Sequence, residues 1–510
     1  MSPTRSGLIK PSGRLGIEVG AALALTGTLV KYLSIASLFP AVLAVGYGEP
    51  FWPYLAGGAL AAGAGLALER LGSRGSSVLG FREGYLVVSL TWLLAAAFAA
   101  SVYILSGDPQ LDRPVDAYFE SMSGFTTTGA SVVTNVDALP RSLLMWRQFT
   151  QWLGGMGIIV LALAVLPRLR VGGRQLLESE MPGPEIDQLA ERIRQTAQRL
   201  WLLYVALTAL QALLLALLGW TGVDDRMDLY RAVGNAFATM PTGGFGMEAR
   251  SVEPYSATAQ WIIVVFMAIA GANFALTYRA VVRRQPRVLV RDEELRLYLL
   301  LLAGASALLT VELWTEGIAE GERAVRDAVF QTVSMMTTTG FANADFNLWT
   351  SLTAMTLVAL MFIGGSAGST SGSIKVVRHL LMGKSLRREV RQTVHPELVL
   401  PVRLNGVVVH ERTIRALMSF VLLYMGIFVV GTALIAIDTS IQGPELSVRD
   451  AIGVAATALG NVGPAFGPAG PMGSFAPFSD VSTIVLVGLM WLGRLEVVPI
   501  VVLFTRSYWR

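Results

Sequence analysis

Asp327-Ala328-Val329-Phe330, followed by Gln331 to Met336 and then by Thr337-Thr338-Thr339-Gly340-Phe341, is too polar to cross a membrane and too apolar for an ordinary loop. The stretch recurs. Asp116-Ala117-Tyr118-Phe119 leads to Thr126-Thr127-Thr128-Gly129, Arg231-Ala232 leads to Pro241-Thr242-Gly243-Gly244, and Asp450-Ala451 leads to Asn461-Val462-Gly463. An alanine follows the charged residue in all four copies, and the spacing to the glycine is constant (116 to 129, 231 to 244, 327 to 340, 450 to 463). Repetition at fixed spacing decides architecture before any single residue does. Four half-helices that each end in a glycine turn, set between long apolar segments, describe one helix, re-entrant loop, helix unit used four times around a common axis.

Glycine suits backbone that must turn with positive φ and come close to a ligand. Rings of backbone carbonyls can replace the hydration shell of a monovalent cation. Non-helical backbone at membrane depth is tolerated where it lines a water-filled cavity. The four turns therefore read as the walls of an ion site.

The chain has 510 residues, 53% of them hydrophobic and 15% charged, which is the composition of a polytopic membrane protein and needs a lipid bilayer as its partner. It has no cysteine, so disulfides, thiolate metal sites and a cysteine nucleophile are excluded. Spans of about 20 apolar residues are expected at 17–45, 51–71, 84–106, 143–167, 200–220, 258–281, 297–315, 350–381, 414–438 and 481–505. The first and eighth exceed one crossing and are expected to be tilted, broken or re-entrant, and the turns fall between spans 3 and 4, 5 and 6, 7 and 8, and 9 and 10. The division that follows is an N-terminal two-helix extension at 1–75 and four pore repeats at 76–170, 171–290, 291–392 and 393–510. Arg5, Lys10 and Arg14 precede the first span without an evident cleavage site, which predicts an uncleaved span.

Basic residues near span ends set orientation. Segment 168–199 carries Arg168, Arg170, Arg174, Arg192, Arg194 and Arg199, segment 279–296 carries six arginines, and 378–391 carries Arg378, Lys384, Arg387, Arg388 and Arg391. All three lie opposite the turns. That side and both termini are expected to be cytoplasmic, and the turns external. Two cytoplasmic segments read as structured: 185–199 as a helix with Glu191 and Arg194 as an i,i+3 pair, and 394–413 as a hairpin about Asn405-Gly406, with Pro401 keeping its strand at an edge.

An ionisable residue inside a span costs about 2.5–3.5 kcal/mol on insertion scales and so usually faces a cavity. Span 8 is interrupted by Gly364-Gly365-Ser366-Ala367-Gly368-Ser369-Thr370-Ser371-Gly372-Ser373 and ends at Lys375. Ten consecutive Gly, Ala, Ser and Thr residues do not make a rigid lipid-facing helix. Span 10 carries Arg494 and Glu496. Either these two form a local pair, or Arg494 restrains the span 8 loop across a permeation path by hydrogen bonds to its carbonyls or hydroxyls. Lys31 stands mid-span and is assigned no role, and Gly154-Gly155-Met156-Gly157 permits close helix packing.

These residues carry a resemblance over nearly the whole chain. The four turns, WRQFTQWLGGMGIIVLALAVLP at 146–167, GGSAGSTSGSIK at 364–375 and MWLGRLEVVP at 490–499 resemble the TrkH/TrkG/KtrB superfamily of potassium-translocating subunits, of the bacterial TrkH type. The resemblance implies potassium uptake across the inner membrane, with K⁺ held by carbonyls of Thr127, Thr128, Gly129, Thr242, Gly243, Gly244, Thr338, Thr339, Gly340, Asn461, Val462 and Gly463. It implies a gating loop over 364–375, represented by Gly364, Gly365, Ser366, Gly368, Ser369, Thr370, Ser371, Gly372 and Lys375, with Arg494 as its pore-facing partner. It further implies a homodimer, a cytosolic RCK-type nucleotide-binding subunit as regulator, and no bound cofactor. The turns depart from one another: Ala130 stands where repeat 3 has Phe341, Met240-Pro241 precedes the second, and the fourth continues Pro464-Ala465.

Two other classes compete with uptake by conduction or ion coupling. A substrate-coupled secondary transporter with broken helices would favour inverted repeats, whereas these four run in the same sense. An intramembrane serine hydrolase would need a base; His379, His395 and His410 lie in or beside the cytoplasmic segment, which leaves only Lys375, so no enzyme is expected. Nothing in the sequence points to nucleic acid.

Overall fold

A computed structural model describes residues 17–72, 80–165, 185–397 and 399–509, with some helical side chains left undescribed. The chain is an all-α polytopic membrane protein. Its N-terminal part is helix α1 (Val19–Leu33), a short 3₁₀ segment, α2 (Leu38–Tyr47) and α3 (Trp52–Gly72). Next comes the same pattern four times: a long helix, a half-helix with its turn, and a second outer segment. The long helices are α4 (Phe81–Ser106), α7 (Glu185–Trp220), α12 (Glu293–Thr315) and α16 (Glu411–Ile441). The half-helices are α5 (Pro114–Phe125), α8 (Leu229–Thr239), α13 (Gly321–Met336) and α17 (Val448–Gly460).

The second segments differ. The first is α6 (Arg141–Val165). The others are broken: α9 (Ala257–Ala270) and α10 (Phe274–Val281), α14 (Ser351–Ile363) and α15 (Val376–Val394), and α18 (Asp480–Arg494) with α19 (Val498–Leu503) and α20 (Arg506–Trp509). A short helix α11 (Arg287–Arg291) precedes α12. Among the described residues, the four long first helices or most of their lengths are apolar and long enough to cross a membrane, as is 19–47, while α9 and α10 meet at 106°. The expected continuous crossing at 258–281 is therefore corrected to a bent pair. Asn273 starts the second helix of the pair, its side chain capping α10 by accepting from the N–H groups of Ala275 and Leu276. The expected span 481–505 likewise resolves into shorter helices, and within 350–381 the interruption expected at 364–373 separates α14 from α15.

The constant spacing to glycine has a local cause. In three half-helices the charged residue is the third helical position. Ser447 and Asp450 form a reciprocal capping box, and Asp228 accepts from the Arg231 N–H at 2.7 Å. In the third, Asp327 sits inside a longer helix and accepts from Asn343 at 2.8 Å, tying the returning chain to it. The alanine that follows is buried in all four copies, at Ala117, Ala232, Ala328 and Ala451.

The N-terminal helices dock on the first repeat. Glu49 accepts from the N–H groups of Arg141 and Ser142, and the Tyr54 hydroxyl meets that of Ser142 at 2.7 Å. Lys31, given no role from sequence, pairs with Glu69 of α3 at 2.6 Å. The Asn405-Gly406 hairpin forms, shorter than expected: β1 (Arg403–Leu404) pairs antiparallel with β2 (Val407–Val408), with both turn residues at positive φ as an Asn-Gly turn requires. The side chains of Glu191 and Arg194, and Arg5, Lys10, Arg14, Arg168, Arg170 and Arg174, lie outside what is described.

Candidate functional site

Each half-helix stops at a backbone reversal of the same shape. Thr127, Thr242, Thr338 and Asn461, two positions before the glycine, have φ between 53° and 56°, and the glycines themselves have φ of 83°, 75°, 83° and 114°. The residue between donates its N–H into the end of its own helix in each copy: Thr128 to Ser123, Gly243 to Ala238, Thr339 to Ser334 and Val462 to Thr457, at 2.8–2.9 Å.

The four turns close into a ring. A Cβ added to Gly129 would fall on the carbonyl oxygen of Gly243; one on Gly244 would fall on that of Thr339, and one on Gly340 on that of Val462. One on Gly463 would stand 2.8 Å from the carbonyl oxygen of Thr128, which completes the circuit in chain order. Glycine is thus required twice at each point, by its φ and by the carbonyl of the next repeat. All four half-helices end here, so the partial negative charge of their C-termini gathers on the axis and favours a cation. A cavity of 290 Å³ opens on one side of the ring, lined by Gly129, Gly244, Gly340 and Gly463 together with Arg147.

The loop from Gly364 to Lys375 lies against the other side, reaching the turns of repeats 2, 3 and 4. Thr370 donates its hydroxyl to the carbonyl of Met240 at 3.1 Å, and Gly372 donates its N–H to the Thr338 hydroxyl at 2.8 Å. A Cβ on Gly372 would collide with the Gly460 carbonyl. The loop also fills the break between α9 and α10: the N–H groups of Ser366 and Thr370 bond the carbonyls of Gly271 and Ala270, while Gly368 accepts from Phe274. Two interrupted helices thus satisfy each other's orphaned backbone groups. Glu294 accepts from the N–H groups of Ala367 and Val377, bracing both ends of the loop.

Arg494, 4% exposed, donates to the carbonyl of Thr370 at 2.8 Å and to that of Gly154 at 3.4 Å. It does not pair with Glu496, which instead binds Lys375 at 2.8 Å and Arg378 at 2.5 Å. Glu496 and Val497 turn the chain with positive φ, and this reversal sends the two charges to different partners. Lys375 is drawn to Glu496 rather than to the loop serines. Gly365 packs on Gly271 and Ser371, and Ser369 hydrogen-bonds back to Ser366, so the loop is folded on itself.

Sequence reading missed a charged cluster beside the cavity. Glu120 and Arg147 form an ion pair at 2.7 Å with 0% and 1% of their side chains exposed, Ser131 donates to Glu120, and the guanidinium lies 4.4 Å from the Phe245 ring centroid. Glu120 stands four residues after Asp116; Asn235 and Gln331 occupy the matching places in repeats 2 and 3, so a polar residue at that offset was the available signal. Gly154 and Gly155 pack against the turns of repeats 1 and 2, at Phe125 and Pro241.

The TrkH family, described as cation transport protein, matches residues 58–510. A Trk system potassium uptake protein TrkH from Escherichia coli K12 is 38% identical over 84% of this chain and 86% of its own length. One from Halomonas elongata is 35% identical over 96% of this chain and 98% of its own. A crystal structure of the potassium transporter TrkH from Vibrio parahaemolyticus superposes with a TM-score of 0.84 at 31% identity, covering 96% of this chain and 100% of that one.

Proposed function

The chain belongs to the TrkH family of cation transport proteins, and on that premise we propose that it carries potassium inward across a bacterial inner membrane, through the ring of carbonyls, under control of the loop at 364–375. The serine-hydrolase alternative falls away, since the family is one of transport proteins. The observation that supports this reading best is the closed circuit in which each glycine abuts the carbonyl of the next repeat. Such a ring offers a dehydrated cation oxygen ligands from four directions, together with the negative ends of four helices.

The ligands in this reading are the backbone carbonyls of Thr127, Thr128 and Gly129 and their counterparts in the other three turns. K⁺ is cargo, and no resident cofactor is required. The loop blocks the path below the ring, and Arg494 holds it there. The cavity side faces outward, both termini face the cytoplasm, and residues 1–75 are an extension to four repeats at 76–170, 171–290, 291–392 and 393–510. Two copies assemble, and an RCK-type nucleotide-binding subunit docks on the cytoplasmic end. In support of that docking, α15 exposes Leu386, Val390 and Val394 at one-turn intervals beside the hairpin.

Rescue of a potassium-uptake-deficient bacterium, with rubidium and sodium as competitors, tests the reading. Growth at low potassium and competition by rubidium over sodium are expected. Deleting 366–373 should raise flux; flux unchanged by the deletion removes the loop from gating, and no rescue at all removes the transport reading.

A further inference from the structure

The four turns share a backbone shape but not the means of holding it. In repeat 1 the hydroxyls of Thr126 and Thr128 bond each other at 2.7 Å, and in repeat 3 those of Thr337 and Thr339 do the same at 2.7 Å. These braces join the residues three and one before the glycine. Repeats 2 and 4 cannot make them, because Pro241 and Gly243, and Gly460 and Val462, stand at those places.

Side-chain amides serve instead. In repeat 4, Asn461 donates to the Thr128 hydroxyl at 3.0 Å and to the Met490 carbonyl at 2.9 Å. In repeat 2 the amide comes from outside: Gln151 of α6, fully buried, donates to the carbonyl of Gly243 at 2.6 Å and accepts from the Phe245 N–H at 3.1 Å. It grips the chain on both sides of Gly244. Gly243 has no positive φ to demand glycine. A Cβ there would lie 2.5–2.9 Å from the Gln151 amide atoms, so the space that a threonine side chain takes in repeats 1 and 3 is filled by Gln151.

We propose that Gln151 is a positioning residue for ion selectivity, substituting from the neighbouring repeat for the missing threonine brace of the second turn. The carbonyl oxygen of Gly243 abuts Gly129 of the first turn, and a donated hydrogen bond fixes its direction while drawing on its negative charge. A ring that discriminates between cations by carbonyl placement depends on that hold. The opposed pairs of turns are thereby braced in two ways, hydroxyl pairs in repeats 1 and 3 and amides in repeats 2 and 4.

This inference rests on the filter reading, and a space-swap cycle separates the two. Rubidium uptake with potassium and sodium competition would be measured on the full chain, at matched amounts in the membrane, for Gln151→Ala, Gly243→Thr, the double variant and Gly340→Ser. Gln151→Ala removes the brace, and Gly243→Thr forces a side chain onto Gln151. Each single change should lower discrimination against sodium by about fivefold, the order expected for one lost hydrogen bond. The double variant should lose no more than Gln151→Ala alone, because the threonine then enters vacated space while Pro241 leaves it no hydroxyl partner to restore the brace, and such sub-additive coupling is not produced by general destabilisation. Where Gln151→Ala fails to insert, Gln151→Met takes its place, filling the space without the amide, and the same loss of discrimination is expected. A double variant in which the two losses add, or Gln151→Ala with unchanged discrimination while Gly340→Ser loses it, overturns the inference alone. Retained discrimination in both overturns the filter reading as well.

Discussion

The N–H of Gly372 points at the hydroxyl of Thr338 and bonds it at 2.8 Å, so the glycine-serine loop hangs from the base of the ring itself. Thr338 thus links the two parts proposed to select and to gate: its backbone shapes the third turn, and its side chain anchors the loop below.

Thr338→Val keeps the β-branched shape and deletes the acceptor. Losing one hydrogen bond of about 1 kcal/mol should favour a displaced loop about fivefold, read as higher rubidium flux at matched expression. Flux equal to the parent would show that this bond does not hold the loop in place.

Arg494 binds Thr370 through a charge-assisted bond, worth about 1.5–3 kcal/mol, or about ten- to a hundredfold in the position of an equilibrium. Arg494→Met should raise flux by something approaching that range. Arg494→Lys keeps the charge and loses the fork that reaches both Thr370 and Gly154, so an intermediate flux is expected. Lysine and methionine variants with equal flux would assign the effect to the tether; a lysine variant equal to the parent would assign it to the charge.

Gly340→Ser places a side chain on the Val462 carbonyl at a φ of 83°. Discrimination of potassium over sodium should fall sharply, because the circuit has to open at that point. Gly383, in α15, has nothing within 4 Å of an added Cβ, so Gly383→Ala should leave transport unchanged and gain up to about 1 kcal/mol of helix stability. Retained discrimination in the serine variant would take Gly340 out of the filter.

Glu120 and Arg147 are buried together, and removing one partner of such a pair costs about 3–5 kcal/mol. Arg147→Met should lower the melting temperature of the detergent-purified protein, and adding Glu120→Gln should recover part of the loss. Additive losses would mean that the two side chains are not energetically coupled.

The architecture was legible because helices and turns are encoded locally. An alanine after a charged residue and a glycine at fixed distance mark a half-helix and its reversal, and four copies imply a shared axis. Apolar runs located the long first helix of every repeat. They located the break in the third repeat, where ten small residues interrupt the run, and failed at 258–281, which looks continuous and is bent before Asn273, because a capping side chain within an apolar run changes mean hydropathy very little. The Asn405-Gly406 hairpin was legible for the opposite reason: its turn chemistry is confined to two residues.

The partners of the buried charges were not legible. Arg494 and Glu496 are two positions apart, yet one reaches Thr370 and the other Lys375 and Arg378, since the reversal at 496–497 separates them. Gln151 gave no sign of reaching Gly243, 92 positions away in the chain. The amino-acid sequence by itself determined the repeated unit, the position of each turn and the need for glycine there, because φ preferences and helix starts depend on neighbours along the chain. Only the tertiary structure decided which carbonyl each glycine faces, which side chain braces each turn and what the loop hangs from, because contacts between repeats depend on how the helices pack around the axis and leave no periodic trace in the sequence.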